Sequence, residues 1–228
     1  MQVSGGLTIS GVLPQPGELG IVAIGRNEGA RLTRCLASID QASACVVYVD
    51  SGSSDGSVGH AREAGARVVE LDMSRPFSAA RARNAGLEAL RAEQPGVGYV
   101  QFLDADCELA PDWLARALNV LVSRDDVAVV CGRRHEVDPT GSIYNRLCDL
   151  EWDRPAGDIK ACGGDALMRV EALEQVGAFN PAVVAGEEPE LCFRLRRAGW
   201  RIERVRAAMT YHDAAMTRFS QWWRRHVR

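Results

Sequence analysis

Asp104 and Asp106 stand one residue apart at the end of an apolar run, Gly98–Leu103. Two carboxylates placed this way offer hard oxygen ligands that suit Mg²⁺ or Mn²⁺ and leave coordination positions open for phosphate oxygens. A cation held there neutralises charge on a departing diphosphate. Two other stretches that follow apolar runs are polar in the same manner: Gly25-Arg26-Asn27-Glu28-Gly29 and Asp50-Ser51-Gly52-Ser53-Ser54-Asp55-Gly56. A plainer account exists for the second, because Ser, Gly and Asp are turn formers and Asp55 can cap a helix. Asp104 and Asp106, taken alone, also read as two solvated loop acids.

The elements that position these residues follow one rhythm. Apolar runs at Gly20–Gly25, Val46–Val49, Ala66–Leu71, Gly98–Leu103 and Val127–Cys131 alternate with amphipathic stretches. The first such stretch is spaced by Leu32, Leu36 and Ile39, the second starts near Asp55, the third runs from about Ser78 to Ala92, and Pro111 can open the fourth. Short continuous runs between helices predict βα units and a largely parallel sheet covered on both faces. In such sheets ligands bind beyond the carboxyl ends of the strands. The three polar stretches therefore converge on one crevice.

Composition narrows the class. The chain has 228 residues, 46% of them hydrophobic and 25% charged, which is enough for one globular α/β domain. A net charge of -3 gives no global basic field and argues against nucleic acid as a partner. The seven cysteines are scattered without a CxxC pair, which suits reduced thiols in a cytoplasmic setting. No stretch has the roughly 18 consecutive apolar residues of a membrane span. Residues 1–18 are rich in Gly, Pro and Ser and read as a flexible segment.

Read in order, Ala23-Ile24-Gly25-Arg26-Asn27-Glu28, Val49-Asp50-Ser51-Gly52-Ser53-Ser54-Asp55-Gly56, Ala82-Arg83-Asn84-Ala85-Gly86 and Phe102-Leu103-Asp104-Ala105-Asp106 resemble family 2 glycosyltransferases of the GT-A fold. Each motif alone is weak; the ordered set is specific, and the resemblance extends from Gly20 to the C-terminus. It implies a single α/β domain over 19–213 with a central, mostly parallel mixed sheet flanked by helices. A Rossmann-like half, 19–133, would bind the nucleotide-sugar, and the half over 134–213 would bind the acceptor. It further implies that Arg26, Glu28 and Asp50 hold the base and ribose of the donor, with Arg83 and Asn84 near the nucleotide and Arg81 a weaker donor contact. Asp104 would sit near the ribose and metal, Asp106 would bind the metal directly, and Ala105 between them would belong to the donor site.

The same resemblance assigns the second half. Cys162-Gly163-Gly164-Asp165 matches the family's glycine pair near the transferred sugar, so Gly163, Gly164 and Asp165 become acceptor-site residues. Gly186-Glu187-Glu188-Pro189-Glu190 opens a helix that Gly199 closes. Acids suit a helix N-terminus in any case, which accounts for Glu190. Glu188 falls on the family's catalytic acid, ordinarily Asp, and would remove the proton of an acceptor hydroxyl, with Glu187 beside it facing the acceptor. His212, in Tyr211-His212-Asp213, would complete the Mn²⁺ or Mg²⁺ site with Asp106. Gln221-Trp222-Trp223-Arg224-Arg225 resembles the QxxRW signature of processive synthases, except that Arg225 stands in place of tryptophan.

The expected reaction is transfer with inversion from a nucleotide diphosphate sugar, a uridine diphosphate sugar in first place, to a sugar or lipid-linked hydroxyl. Segment 214–228 reads as an amphipathic helix cut short, with Phe219, Trp222 and Trp223 clustered and Arg218, Arg224, Arg225 and Arg228 flanking them. That pattern suits the inner face of a membrane. Two rivals are a sugar nucleotidyltransferase and a non-catalytic nucleotide- or sugar-binding module. The first would need a Gly-rich basic loop after the first strand, where this chain has Gly25-Arg26-Asn27-Glu28.

Overall fold

Alternation of buried runs with amphipathic stretches builds the first half as the sequence predicts. A computed structural model describes residues 18–40 and 44–227; the segment at 1–17 and Arg228 lie outside the described residues. The chain begins with β1 (Leu19–Gly25), α1 (Ala30–Ala37), β2 (Cys45–Asp50), α2 (Ser57–Glu63) and β3 (Arg67–Glu70). It continues through α3 (Ala79–Glu93), β4 (Tyr99–Asp104), β5 (Cys107–Leu109), α4 (Trp113–Ser123) and β6 (Val127–Glu136). The second half holds α5 (Ile143–Trp152), β7 (Gly157–Asp158), β8 (Ala166–Arg169), α6 (Val170–Val176), α7 (Glu187–Arg197), β9 (Arg201–His212) and α8 (Phe219–His226).

One sheet carries these strands in the order β3-β2-β1-β4-β8-β6-β9-β5, with β7 paired to β9. Strands β3, β2, β1 and β4 are parallel, in register Ile24 opposite Val49 on one side and opposite Asp104 on the other. Beyond β4 the sheet becomes mixed: β8 is antiparallel to both β4 and β6, β9 is parallel to β6, and β5 is antiparallel to β9. The parallel character inferred from the apolar runs thus belongs to the first half, and the second half alternates.

The chain order reverses at β1, with β2 on one side and β4 on the other. Crevices outside the carboxyl ends of strands form at such a point. Ile21, Val22, Val47, Val49, Phe102 and Leu103 are buried beneath it and fix the three strand ends in one rigid layer. Helix α3 packs onto β1 and β2 closely enough that a Cβ on Gly86 would sit 2.3 Å from Val22 Cγ1, so only glycine fits there. Ser78 caps α3 by accepting from the Arg81 amide at 3.3 Å. Helix α4 opens at Trp113, two residues after Pro111, because the fully buried Trp113 donates from Nε1 to Gln101 Oε1 at 2.8 Å and anchors the helix.

Candidate active site

Three strand ends supply the floor of a cavity of about 620 Å³, lined by Gly25, Arg26, Glu28, Asp104, Ala105 and Asp106 among others. The Ala105 amide donates to Ile24 O at 2.9 Å, which holds the turn after β4 against β1 and aims the two acids at the cavity.

The two aspartates have different surroundings. Arg83 Nη2 donates to Asp104 Oδ1 at 3.0 Å and Arg134 Nη2 to Asp104 Oδ2 at 3.2 Å, while the Asp104 amide donates to Asp165 Oδ1 at 2.9 Å. Burial and the neighbouring Asp165 raise the Asp104 carboxyl above its ordinary range, and the two arginines oppose that rise. Asp106 faces a histidine instead: its Oδ2 lies 3.2 Å from His212 Nε2. Burial alone would raise the Asp106 carboxyl, but the hydrogen bond and charge of His212, with Arg134, hold it at about 2. Burial lowers the His212 imidazolium, yet Asp106 and Glu136 outweigh it and bring the group up to about 9.

The pairing of β5 with β9 sets Cys107 opposite His212, and that of β6 with β9 sets Glu136 opposite His212. Glu136, whose side chain is 1% exposed, places Oε2 at 3.5 Å from His212 Nδ1 and accepts from the Ala214 amide. A carboxylate on the far nitrogen of an imidazole orients the near nitrogen, a common support for a metal-ligating histidine. Asp106 and His212 therefore fit a borderline-hard cation such as Mn²⁺ or Mg²⁺. The Cys107 thiol lies with them but is fully buried, and burial pushes it well above its ordinary range, so it stays protonated.

Arg83 joins this floor to α7. Its guanidinium is 3% exposed, with Nη1 at 2.6 Å from Glu187 Oε1 and 3.3 Å from Glu188 Oε1, under the Phe179 ring. Glu188 keeps 16% of its side chain exposed where Glu187 has 7%. Burial raises the Glu188 carboxyl above its ordinary value; Arg83 draws it down and Glu187 lifts it again. Gly164 faces three of these groups: a Cβ there would lie 2.5 Å from Arg83 Nη2, 3.0 Å from Asp104 Oδ2 and 3.1 Å from Glu188 Oε1. The missing side chain is what lets α7 meet the acidic floor.

The other residues named from the sequence have varied surroundings. Asp50 is buried, with Oδ1 accepting from the Tyr48 hydroxyl and Oδ2 from the amides of Gly52 and Ser53, so it shapes the turn after β2. Arg81 turns away from the floor and donates to the carbonyls of Asp72, Arg75 and Pro76. Asn84 ties α3 to the segment after α6 by bonding both the carbonyl and the amide of Phe179. Asp165 is fully buried beneath the floor, held by Arg134 at 2.6 Å and by the Thr210 hydroxyl at 2.8 Å. Arg26 is exposed at the cavity, and Glu28 is half-buried in it with its carboxylate 2.7 Å from Arg31. Sequence reasoning missed Arg134 and Glu136; both lie past the apolar run of β6, and only the pairing with β9 reveals what they hold.

The glycosyl transferase family 2 model matches residues 21–177. The chain belongs to that family. A pre-mycofactocin glycosyltransferase of Mycobacterium tuberculosis is 27% identical over 88% of this chain and 43% of its own length. The succinoglycan biosynthesis protein ExoA of Rhizobium meliloti is 30% identical over 78% of this chain and 57% of its own. The chain thus spans less than two thirds of either relative. Among solved structures, the mannosyltransferase PcManGT of Pyrobaculum calidifontis, in complex with GDP-Man and Mn²⁺, superposes with a TM-score of 0.66 at 20% identity, over 91% of this chain and 59% of that one. S. aureus TarS 1-349 in complex with UDP-GlcNAc gives 0.67 at 16% identity, over 90% and 60%. The mixed sheet with its flanking helices is the GT-A fold.

Proposed function

We propose that this chain is an inverting glycosyltransferase that moves a sugar from a nucleotide diphosphate sugar to an acceptor hydroxyl, with Glu188 as general base and Asp106 and His212 as holders of Mn²⁺ or Mg²⁺. The observation that carries the reading is Gly164, whose missing side chain leaves a space bordered by both Glu188 and Asp104 on a single floor. Donor and acceptor halves, 19–133 and 134–213, meet along that floor.

Glu188 accepts the proton of the acceptor hydroxyl as its oxygen attacks the anomeric carbon, and the bond from that carbon to the diphosphate oxygen breaks on the opposite face. Burial makes Glu188 a stronger base than a surface carboxylate, while the charge of Arg83 opposes that rise. Asp106 and His212 would hold a divalent cation, which would bind the diphosphate end of the donor and supply Lewis-acid neutralisation of the leaving group. Glu136 orients His212, and Arg134 secures Asp104 and Asp165 behind the floor.

A uridine diphosphate sugar is the favoured donor, supported by TarS with UDP-GlcNAc and by GalNAc-T7 with UDP, GalNAc and Mn²⁺; PcManGT with GDP-Man keeps a guanosine donor in the panel. The acceptor is a sugar or a lipid-linked hydroxyl presented at the cytoplasmic face of a membrane. Phe219 and Trp223 are exposed along α8, with Val227 just after it, beside Arg218 and Arg224, a combination suited to anionic headgroups. No helix among the described residues is long and apolar enough to cross a membrane. Nucleotide release from a panel of uridine, guanosine and thymidine diphosphate sugars with Mn²⁺, followed by NMR of the product anomer, tests the reading. Transfer with an inverted anomeric centre supports it; a retained anomer, or release of pyrophosphate in place of a nucleoside diphosphate, contradicts it.

A further inference from the structure

A second cavity of about 620 Å³ opens on β6 and β9, and it shares no lining residue with the donor cavity. A break in the strand pairing makes it. Cys131 is paired with Arg204 and Arg133 with Ala208, so the three residues Val205, Arg206 and Ala207 bulge opposite Gly132 alone. The bulge folds inward because Gly132 has no side chain: a Cβ there would stand 2.7 Å from Ala207 O. It brings Arg206 to the cavity wall, where Ala207 and Ala208 are too small to fill the space.

The walls are basic. Arg133 and His135 reach the cavity from β6, while Arg134 between them bonds Asp104 and Asp165 at the acidic floor. Consecutive arginines thus serve two places. Asp149 and Asp153 hold Arg133 at 3.1 and 3.4 Å, and His135 stacks on Tyr211 with ring centroids 5.7 Å apart, so both side chains are fixed in advance. Arg154 and Arg206 carry the unspent charge. Among the described residues the Arg154 guanidinium meets no carboxylate, donating instead to the Glu151 carbonyl at 2.7 Å. Arg206 is exposed and has neither a hydrogen bond nor an ion pair among them. Asp153, the acid on this wall, is 60% exposed at its side chain and already engaged by Arg133. Two guanidinium groups on one cavity repel each other, and a dianion between them turns that cost into attraction.

We propose that this cavity is a phosphate-binding site, in which Arg154 and Arg206 grip the oxygens of a phosphate monoester and His135 adds a hydrogen bond from the β6 wall. The planar fork of a guanidinium matches a pair of phosphate oxygens, and its charge is never titrated away. The phosphate belongs to a soluble ester or to a lipid headgroup, and the chemistry of recognition is common to both. At the acidic floor a phosphate would be met through a divalent cation. Here the arginines meet it directly, so binding needs no metal and does not depend on the donor cavity.

Titration of the full chain with inorganic phosphate, in chelator and without divalent cation, tests the site by NMR of the arginine Nε–Hε groups and the His135 ring. We expect saturable shifts at Arg154, Arg206 and His135, and an affinity at least about tenfold weaker when Arg154→Gln and Arg206→Gln are combined, because charge-assisted hydrogen bonds are lost. The combined variant should melt as the wild type does, since both side chains are exposed. No saturable response in the wild-type chain overturns the proposal. Shifts reproduced by chloride at equal ionic strength overturn it too, as does an unchanged midpoint in the variant. Vesicles of phosphatidylcholine containing phosphatidate then separate the two sources. Weaker co-sedimentation of the variant puts the phosphate on a lipid headgroup, whereas equal co-sedimentation beside a lost phosphate response assigns a soluble ester.

Discussion

His212 enters the metal-free site as an imidazolium, held at about 9 by Asp106 and Glu136 against the effect of burial. A metal ligand must be the neutral ring, so binding Mn²⁺ expels that proton. Asp106, held at about 2, is ionised throughout the working range and adds no proton of its own. Below about 9, each unit of pH therefore costs a factor of about 10 in apparent affinity, and the fall from pH 8 to pH 6 amounts to about a hundredfold. The same proton stabilises the metal-free fold. Because the folded value lies above the ordinary 6.5, the contribution is complete below pH 6.5 and is lost as the pH rises through about 9. Its size, from the gap between those values, is about 3 kcal/mol. Titration of Mn²⁺ by electron paramagnetic resonance without nucleotide, from pH 6 to 8, reads the effect directly. An affinity that is flat across this range refutes the assignment of His212 as a ligand displaced from an ion pair with Asp106.

Other substitutions follow from the same geometry. Gly164→Ala puts a methyl group into the space shared by Arg83, Asp104 and Glu188, and we expect turnover to fall about a hundredfold from misplacement of the base, with thermal stability reduced by ~1–3 kcal/mol; steady-state kinetics beside a thermal melt measures both. Arg83→Met strands Glu187, with its side chain 7% exposed, without its cation and leaves Asp104 with Arg134 alone, and should cost ~3–5 kcal/mol, seen as a fall in Tm of at least about 6 °C. Replacing Phe219 and Trp223 together by Ser should move the chain from pellet to supernatant in co-sedimentation with anionic vesicles, whereas equal recovery of both forms argues against a lipid-facing α8.

The parallel half of the fold was legible because its strands are continuous apolar runs that end on polar residues. Val46–Val49 before Asp50 and Gly98–Leu103 before Asp104 gave β2 and β4 to within a residue or two. Strand β9 escaped notice for a physical reason. Ile202 and Met209 are buried, but Arg201, Arg204 and Arg206 interrupt the pattern, and bulges in its pairing with β6 break the alternation. The site divides along similar lines. Asp106, Glu188, Gly164 and His212 stand in local motifs, and the fold brings them to the floor described above. Asp50 had two readings, ligand or turn, and its bonds to the amides two and three residues onward match the turn. Arg83, which the resemblance puts near the nucleotide, is 2% exposed, because Glu187, more than a hundred positions away, receives its charge. No local pattern announces a partner at that distance. Glu136 is of the same kind, legible only once β9 is laid beside β6.

The central claim is that Glu188 is the general base of a transfer whose donor is held elsewhere on the floor. Glu188→Gln, assayed for turnover and for nucleotide affinity with the donor that the wild-type enzyme accepts, tests it most directly. Glutamine is isosteric but cannot take the acceptor proton, so kcat should fall by about 10²–10⁴-fold while Kd for the donor nucleotide with Mn²⁺ stays within about twofold. Turnover within about threefold of wild type, or a loss that appears wholly in donor affinity, would contradict the assignment.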